Sequence, residues 1–380
     1  MKILHFSDTH LGYNDLDILD ENNVNQREAD FYDAFNQIVE QIKQIKPDYI
    51  IHTGDLFHRS SPSNRAITFA LEKFMQIDAL NIPCIMIAGN HSTPRTNLSS
   101  PILKIFDNYK NIYVSYEQEY KKIEFDKIVF HTLPHMNDET IAEKQIETCE
   151  QNIDSTKKNI MMLHCSVGAW YLMQEFGEWV YPSDKEYIFS KMDYVALGHW
   201  HGFGNVGKHE NVYYSGSSER TSLNDKRNSK GFILATLDDN HDNNSSKLDI
   251  EYKEIHIRPI RQKTIDCLDY EASIASVDSN DTLNAIVEVK LTNLSPLQSI
   301  DISNKEVRDL FSNAMSVSIK REFKHNTYET NVEAIEALSL EDYFLEHIKE
   351  DVSSKKENDR LKLKVQELFA KYEDSNNDTI

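Results

Sequence analysis

Hydrophobic and polar positions follow one repeated order over about the first 200 residues: a short apolar run, a polar cluster, and then an amphipathic stretch. Five of the apolar runs have the length of a single buried strand. These runs are Lys2–Phe6, Tyr49–His52, Cys84–Ile87, 160–163 and 194–197. Apolar side chains spaced three and four residues apart predict a helix over residues 28–46, and Ser61-Pro62-Ser63 predicts the start of another. Helices that alternate with strands predict a layered α/β sandwich.

Beyond about residue 113 the chain becomes richer in strand-like runs, which predict a second sheet packed on the first. The runs lie at 112–114, 128–133, 160–163, 194–197, 212–214 and 232–237. Residues 238–247 are nearly all Asp, Asn, Ser and His. They predict a solvated hairpin loop between two strands rather than a link between domains.

A domain boundary is expected near Arg258-Pro259, which limits the first domain to residues 1–257. Residues 258–328 have the pattern of a small βαβαβ domain without a cluster of metal-ligand side chains. Residues 329–380 are highly charged and predict two short amphipathic helices, which are too few to fold alone. We expect this C-terminal segment to dock on this chain or on a partner.

Composition is that of a soluble globular protein: 380 residues, of which 39% are hydrophobic and 27% charged. No apolar run approaches the roughly 18 residues that span a bilayer. The first residues enter a strand directly, without the pattern of a signal peptide. Four scattered cysteines without C-x-x-C spacing favour free thiols. We therefore expect a cytoplasmic protein that has no association with a membrane.

The acidic surplus bears on possible partners. The chain has 41 basic and 62 acidic residues and a net charge of −21. Such a surface repels polyanions, so it counts against autonomous, non-specific binding of nucleic acid. Metal cations and a basic partner subunit can offset that charge, and a nucleic-acid substrate therefore stays open.

A polar cluster rich in metal-ligand side chains follows each of the five apolar runs. In open α/β sheets, residues just beyond the carboxyl ends of the strands meet in one crevice. The clusters would bring together two aspartates, one asparagine and four histidines: Asp8, His10, Asp55, Asn90, His164, His199 and His201. Seven donors are too many for one tetrahedral ion and suit two metal ions that share a bridging carboxylate. The pattern predicts a two-metal hydrolase.

The five clusters resemble the signature of the calcineurin-like metallophosphoesterases, and further short sequence motifs narrow the resemblance to one subfamily. Four stretches are similar to DNA double-strand-break repair nuclease subunits of the SbcD and meiotic-recombination-eleven type: Asp8-Thr-His-Leu-Gly-Tyr13, Gln26-Arg27-Glu28, Gly54-Asp-Leu-Phe-His58 and Tyr214-Ser-Gly-Ser-Ser-Glu-Arg220. The resemblance covers residues 1–257 firmly and the remainder more loosely. It implies a four-layer, two-sheet αββα sandwich with a small α+β capping domain, which orients DNA, and C-terminal helices.

The resemblance also implies a role for each matching residue. One metal ion would be bound by Asp8, His10, Asp55 and His201, and the other by Asp55, Asn90, His164 and His199. The implied metal is manganese, and the mixed nitrogen and oxygen donors also suit iron or zinc. His91 would protonate the leaving oxygen, and His58 would position the phosphate or the DNA strand. For Arg220 the favoured role is to order the loop beneath the site by an ion pair with Glu219. Direct contact with the substrate is the alternative role.

The implied function is that of a metal-dependent DNA exonuclease and endonuclease, in which two metal ions activate water for attack on a phosphodiester. The implied assembly is a homodimer with a coiled-coil ABC-type ATPase of the SbcC kind, engaged by the C-terminal helices. Two other hypotheses stay open. One is a small-substrate phosphatase or phosphodiesterase of the same superfamily, which the acidic surface suits somewhat better. The other is a weakly active scaffold subunit at DNA ends.

Ser92 departs from the family pattern, which has Asp or Glu directly after Gly-Asn-His. The usual carboxylate helps to orient and charge the neighbouring histidine. A serine accepts a hydrogen bond but supplies no charge. We therefore expect His91 to be a weaker acid, and the activity to be reduced rather than absent.

Overall fold

A computed structural model describes residues 1–94, 100–168, 179–222, 229–238, 248–278, 280–324 and 359–367. The chain divides into two compact units, Met1–Arg258 and Pro259–Ile380. No helix within the described ranges is long and apolar enough to cross a membrane.

The first unit contains two sheets, each with six strands among the described residues. Its elements in chain order are β1 (Lys2–Phe6), α1 (Gln26–Ile45), β2 (Tyr49–His52), α2 (Asn64–Asp78), β3 (Cys84–Ile87), β4 (Ile112–Ser115), β5 (Lys121–Glu124), β6 (Ile128–Leu133), α3 (Glu139–Gln151), β7 (Lys158–His164), β8 (Tyr194–Gly198), β9 (Gly204–Asn205), β10 (Val212–Tyr214), β11 (Gly231–Leu237) and β12 (Leu248–Glu254). The predicted alternation of strands and helices is therefore confirmed.

The strand order explains how one edge of the molecule collects the polar clusters. The first sheet has the order β12-β11-β1-β2-β3-β4, with β1 to β4 parallel and β11 antiparallel to β1. The second has the order β5-β6-β7-β8-β10-β9, with β6, β7, β8 and β10 parallel. Parallel neighbours end at the same edge, so the residues that follow them lie close together.

Two strands assigned by the sequence to the second sheet belong to the first. The prediction was wrong for β4, which continues the parallel order beyond β3, and for β11, which pairs antiparallel with β1. Hydrophobic runs identify strands but not their neighbours, since both sheets bury the same kinds of side chain. The predicted hairpin between β11 and β12 is present, and its loop lies outside the described residues.

Local sequence accounts for where the first two helices begin. The Asn25 side chain accepts hydrogen bonds from the backbone N–H groups of Arg27 and Glu28, so α1 begins two residues before the predicted start. It ends at Ile45, and the capping residue Lys46 adopts a left-handed conformation directly before Pro47. Ser63 accepts from the N–H of Ala66 and caps α2, as its sequence predicted.

The sheets pack face to face, and helices cover the outer face of the first sheet. Isoleucines and aromatic side chains fill the space between the sheets, among them Ile3, Ile51, Phe130 and Ile160. A second cluster lies under α1 and α2 and includes Phe35, Phe74 and Phe106. A third, which includes Ile146 of α3, Trp179 and Tyr181, covers the other sheet. The predicted two-sheet αββα sandwich is thus confirmed.

The second unit is a small α/β arrangement around a three-stranded parallel sheet. Its elements are β13 (Ile260–Asp266), α4 (Tyr270–Ala275), β14 (Ile286–Leu294), α5 (Pro296–Asp301), α6 (Asn304–Asp309) and β15 (Ser316–Phe323). Val287, Val289 and Leu291 of the central strand pack with Val307 and Phe311. The sheet therefore has its own hydrophobic core.

A helical segment at residues 359–367 also belongs to the second unit. Leu361 and Val365 pack against Leu297 and Ile300, and Lys364 forms an ion pair with Asp301. This segment of the predicted docking region therefore contacts its own chain. The rest of residues 329–380 lies outside the described residues.

Phe74→Ala tests the helix-side core of the first unit. Phe74 is fully buried and lies 4.8 Å from Phe106, measured between ring centroids. The truncation is expected to lower the free energy of unfolding of the first unit by about 3–5 kcal/mol, as measured by urea denaturation. Met75→Ala on the same helix is the matched control, because Met75 is 62% exposed and its loss should cost about 0.5 kcal/mol at most. Equal losses for the two variants would contradict the assigned helix face.

Candidate metal centre

The polar clusters of both sheets meet at one edge of the first unit. From the first sheet, Asp8 and His10 follow β1, Asp55 follows β2, and Asn90 and His91 follow β3. From the second sheet, His164 is the last residue of β7, and His199 and His201 follow β8. The Asp8 N–H donates to the carbonyl of Gly54, and that of His10 donates to the carbonyl of Asp55, both at 3.0 Å. These bonds hold the loops after β1 and β2 side by side.

Several of these residues have a backbone conformation that non-glycine residues rarely adopt. The φ angles are +49° at Asp8, +43° at His10, +53° at Asp55 and +96° at His199. Each such residue costs on the order of 1–3 kcal/mol, and such strain clusters at functional sites. The turned backbone at Asp8, His10 and Asp55 accompanies side chains that are almost fully buried. The sequence carried no signal for this strain.

One group of donors consists of Asp8, His10 and His201. The Nε2 atoms of the two histidines lie 3.1 Å apart, and Nε2 of His201 lies 4.0 Å from Oδ1 of Asp8. All three ligand atoms fall within 4.8 Å of one another. These three residues are brought together as the sequence suggested.

A second group consists of Asp8, Asp55 and His164, whose ligand atoms also lie within 4.8 Å of one another. Oδ2 of Asp55 lies 3.2 Å from Nε2 of His164. Oδ1 of Asn90 lies 3.0 Å from the same nitrogen and 3.3 Å from Nδ1 of His199. Asn90 therefore contacts two of the three histidines from the second sheet, and Asp8 takes part in both groups.

Burial and neighbouring charges set the protonation of these groups. Burial alone would raise the pKa of Asp55, but the adjacent His164 outweighs it and holds that pKa well below its usual range. Burial opposes the charge on His164 as well, yet Asp55 outweighs it and raises the pKa of His164 to about 9. For His10, burial and then His201 lower the pKa well below its usual value, which leaves this imidazole neutral. A cation that binds His164 must therefore displace a proton.

The donor set fits divalent metal ions. Carboxylate oxygens, imidazole nitrogens and an amide oxygen are the mixed ligands that manganese, iron and zinc accept. The ligand nitrogen of His164 is fixed from behind, because its Nδ1–H donates to the carbonyl of Thr53 at 2.7 Å. The side-chain Oγ1 of Thr221 lies 3.0 Å from Nδ1 of His201. Sequence reasoning missed Thr53 and Thr221, because neither residue is a typical metal ligand or part of a recognised motif.

His91 and His58 lie beside the first group of donors. Their rings are stacked with centroids 5.3 Å apart, and the ring of His10 is 4.9 Å from that of His91. The backbone N–H of His91 donates to Oδ1 of Asp55 at 2.9 Å. The Nδ1–H of His91 donates to the carbonyl of His58 at 2.6 Å. His58 thus orients His91 through its main chain, which a reading of side-chain types could not foresee.

The serine at the family's acidic position does not replace the missing carboxylate. Ser92 is fully buried, and within the described part of the chain its Oγ has no hydrogen-bond partner. The Nδ1–H of His91 is instead held by the carbonyl of His58. Orientation of His91 therefore does not depend on Ser92.

Arg220 lies in the loop beneath the donors and takes part in backbone hydrogen bonds. The Arg220 guanidinium donates to the carbonyl of Arg258 at 3.2 Å. The Arg27 guanidinium donates to the carbonyl of Arg220 at 2.6 Å. The buried Glu219 carboxylate accepts from the Arg220 N–H at 2.6 Å and lies 3.6 Å from Arg27. These contacts order the loop, and contact between Arg220 and substrate stays a prediction.

A model of the calcineurin-like phosphoesterase family matches residues 1–203. The chain therefore belongs to the calcineurin-like phosphoesterase family. It is similar to the DNA double-strand break repair protein Mre11 of Methanocaldococcus jannaschii, with 30% identity over 273 residues that cover 67% of this chain and 68% of the relative. The protein of the same name from Methanococcus maripaludis is 28% identical over 270 residues, which cover 68% of this chain and 69% of that one.

Among solved structures, a dimetal phosphatase from Danio rerio aligns with 67% of this chain and 96% of its own. Its TM-score is 0.42 and its identity is 12%, so this likeness adds nothing to the assignment. The family match and the two relatives confirm the predicted resemblance to the SbcD and meiotic-recombination-eleven type. They confirm with it the prediction of a metal-dependent nuclease.

Gly89→Ala tests the donor arrangement without removing any donor. A Cβ at Gly89 would lie 2.2 Å from Oδ1 of Asp55, so the carboxylate must move. We expect loss of tightly bound Mn²⁺ in equilibrium dialysis, together with at least about a tenfold loss of phosphodiester hydrolysis, the lower end for misplacing a group that orients a ligand. Gly204→Ala is the control, because a Cβ there meets nothing within 4 Å. Unchanged Mn²⁺ binding by Gly89→Ala would contradict the role given to Asp55.

Proposed function

We propose that this chain is the nuclease subunit of a DNA end-processing complex, and that it hydrolyses phosphodiester bonds with two divalent metal ions. The observation that carries the proposal is the convergence of Asp8, Asp55 and His164 with a second group that shares Asp8. The family match and the two Mre11 relatives support DNA as the substrate.

The proposed ligands are Asp8, His10, Asp55 and His201 for one ion and Asp55, Asn90, His164 and His199 for the other, so Asp55 is the proposed bridging carboxylate. Asp8 lies close to both groups of donors and is assigned to the first ion alone. Manganese is proposed as the metal. When bound, two such ions clamp a phosphodiester and activate a water for in-line attack.

His91 is proposed as the acid that protonates the leaving oxygen. Its Nδ1–H is held by the carbonyl of His58, so Nε2 is the nitrogen that remains to exchange a proton with the substrate. The hydrogen bond from its backbone to Asp55 fixes its distance from the metal ligands. The His58 side chain stacks on this ring and is proposed to position the phosphate or the DNA strand.

The net charge of −21 requires a source of DNA affinity other than the general surface. We propose that a coiled-coil ABC-type ATPase supplies a basic channel and is engaged by the C-terminal segment, residues 329–380. A homodimer formed through the first unit and a DNA-orienting role for residues 258–328 belong to the same proposal. A partner that carries much of the DNA contact accounts for an acidic nuclease subunit.

Digestion of end-labelled single- and double-stranded oligonucleotides tests the function. With added Mn²⁺ we expect cleavage that Asp55→Ala abolishes together with Mn²⁺ binding. His91→Ala should lower the cleavage rate by about 10²–10⁴-fold, the usual contribution of an acid catalyst, while Mn²⁺ binding is kept. The control is His256→Ala, since His256 is exposed and is not among the proposed site residues.

The same assay separates the competing hypotheses. Turnover of small phosphoesters such as bis-p-nitrophenyl phosphate, with no cleavage of oligonucleotides even when the ATPase is added, would support a small-substrate phosphatase. Mn²⁺ binding without turnover of either substrate would support a scaffold subunit. Either result would overturn the nuclease proposal.

Ser92→Ala is expected to keep at least about half of the wild-type cleavage rate. The Ser92 hydroxyl has no hydrogen-bond partner within the described residues, and His91 is oriented by the carbonyl of His58. Steady-state rates on one oligonucleotide, compared over a series of Mn²⁺ concentrations, measure the effect. A large loss of rate would show that Ser92 acts on His91 after all.

A further inference from the structure

Lys230 is a buried lysine that directly precedes β11, and its side chain is 1% exposed. Lysines are almost never fully buried unless the ammonium group is paired or hydrogen-bonded. Here the Nζ donates to the carbonyl of His201 at 2.7 Å and to Oγ of Ser217 at 2.9 Å. The ammonium group therefore lies directly behind a proposed metal ligand.

His201 needs such support more than the other members of its donor group. Its side chain is 25% exposed, whereas that of Asp8 is fully buried and His10 as a residue is 1% exposed. Packing therefore restrains His201 less, so its direction depends on the position of its main chain and on the contact between its Nδ1 and Oγ1 of Thr221. Its carbonyl also accepts from the Ser217 N–H at 3.2 Å.

Ser217 connects this arrangement to the first sheet. It forms an isolated parallel bridge with Ser7, the residue that precedes Asp8. Lys230 thus contacts both the carbonyl of His201 and the segment that pairs with Ser7, at the start of the loop that supplies Asp8 and His10. One ammonium group contacts the loop that supplies His201 and a segment that is bridged to Ser7, directly before Asp8.

We propose that Lys230 is a positioning residue for His201 and sets the affinity of the chain for the metal ion of the Asp8, His10 and His201 group. The inference rests on the proposed metal centre. Its physical basis is that a charged donor forms stronger hydrogen bonds than a neutral one. A carbonyl held in this way fixes the main chain of His201, from which its imidazole extends toward the proposed ion.

Lys158 provides a matched comparison. It is also a buried lysine, 5% exposed, and its Nζ lies 3.1 Å from Oδ1 of Asp193. It is the first residue of β7, at the opposite end of that strand from His164. Lys230→Met and Lys158→Met therefore each remove a buried ammonium, and only the first removes one behind a proposed ligand.

The test is equilibrium binding of Mn²⁺ to the full-length chain, followed by the electron paramagnetic resonance signal of the free ion. Wild type and Lys158→Met should each bind two ions with the same affinities. Lys230→Met should bind one of the two about 10- to 100-fold more weakly, the range found when a residue behind a ligand is lost, and keep the other unchanged. Lys230→Gln, whose amide still donates a hydrogen bond, should recover part of the lost affinity.

Two wild-type affinities in Lys230→Met, or an equal loss of affinity in Lys158→Met, would show that the buried lysine is only structural. If Lys230→Met does not fold, Lys230→Gln takes its place, and two unchanged affinities in that variant would overturn the inference. A wild-type chain that binds no Mn²⁺ would instead overturn the proposed metal centre, on which the inference rests. Weaker binding of one ion in Lys230→Met alone would support both the metal centre and the role of Lys230.

Discussion

The contact between Asp55 and His164 is the constraint on which the candidate metal centre depends. Asp55 follows a strand of the first sheet and His164 ends a strand of the second, so their 3.2 Å contact joins the two sheets at one edge. Both side chains are almost fully buried, and two buried ionisable groups are tolerated only when each compensates the other. Sheet packing and site geometry are therefore set by the same pair.

Close packing of the backbone around this pair explains why glycines flank the site. A Cβ on Gly54 would lie 2.1 Å from Nδ1 of His164, and one on Gly198 would lie 2.1 Å from the carbonyl of Thr53. Gly54 also has a φ of +109°, which side chains disfavour. These glycines let backbone approach the ligands closely, and their neighbours Asp55 and His199 take up the strained turns.

Much of the fold was predictable because short apolar runs report burial directly. The five strands that carry the site lie where those runs predicted them, and the start of α2 at Ser63 is readable in the sequence. The cap at Asn25 was not recognised, so α1 was predicted to begin two residues late. Sheet membership of β4 and β11 was not predictable, because a buried strand looks the same in either sheet. Which strands pair depends on the topology of the chain, and the hydrophobic pattern does not report that topology.

The candidate site divides in the same way. Side chains that bind metal are conspicuous by type and spacing, and the structure brings them to one edge. Groups that act through the main chain, such as the carbonyls of His58 and Thr53, are not conspicuous, because every residue type has a backbone carbonyl. Lys230 was missed for a related reason: a single lysine before a strand normally predicts a solvated side chain.

Anomalous diffraction from crystals grown with Mn²⁺ tests the central claim most directly. The account predicts two anomalous peaks at the shared edge of the two sheets, both in contact with the carboxylate of Asp55. One should lie among Asp8, His10 and His201, and the other should be held by Asp55 and His164. A peak elsewhere in the molecule, or no peak at this edge at saturating Mn²⁺, would contradict the claim that these strand ends form a metal centre.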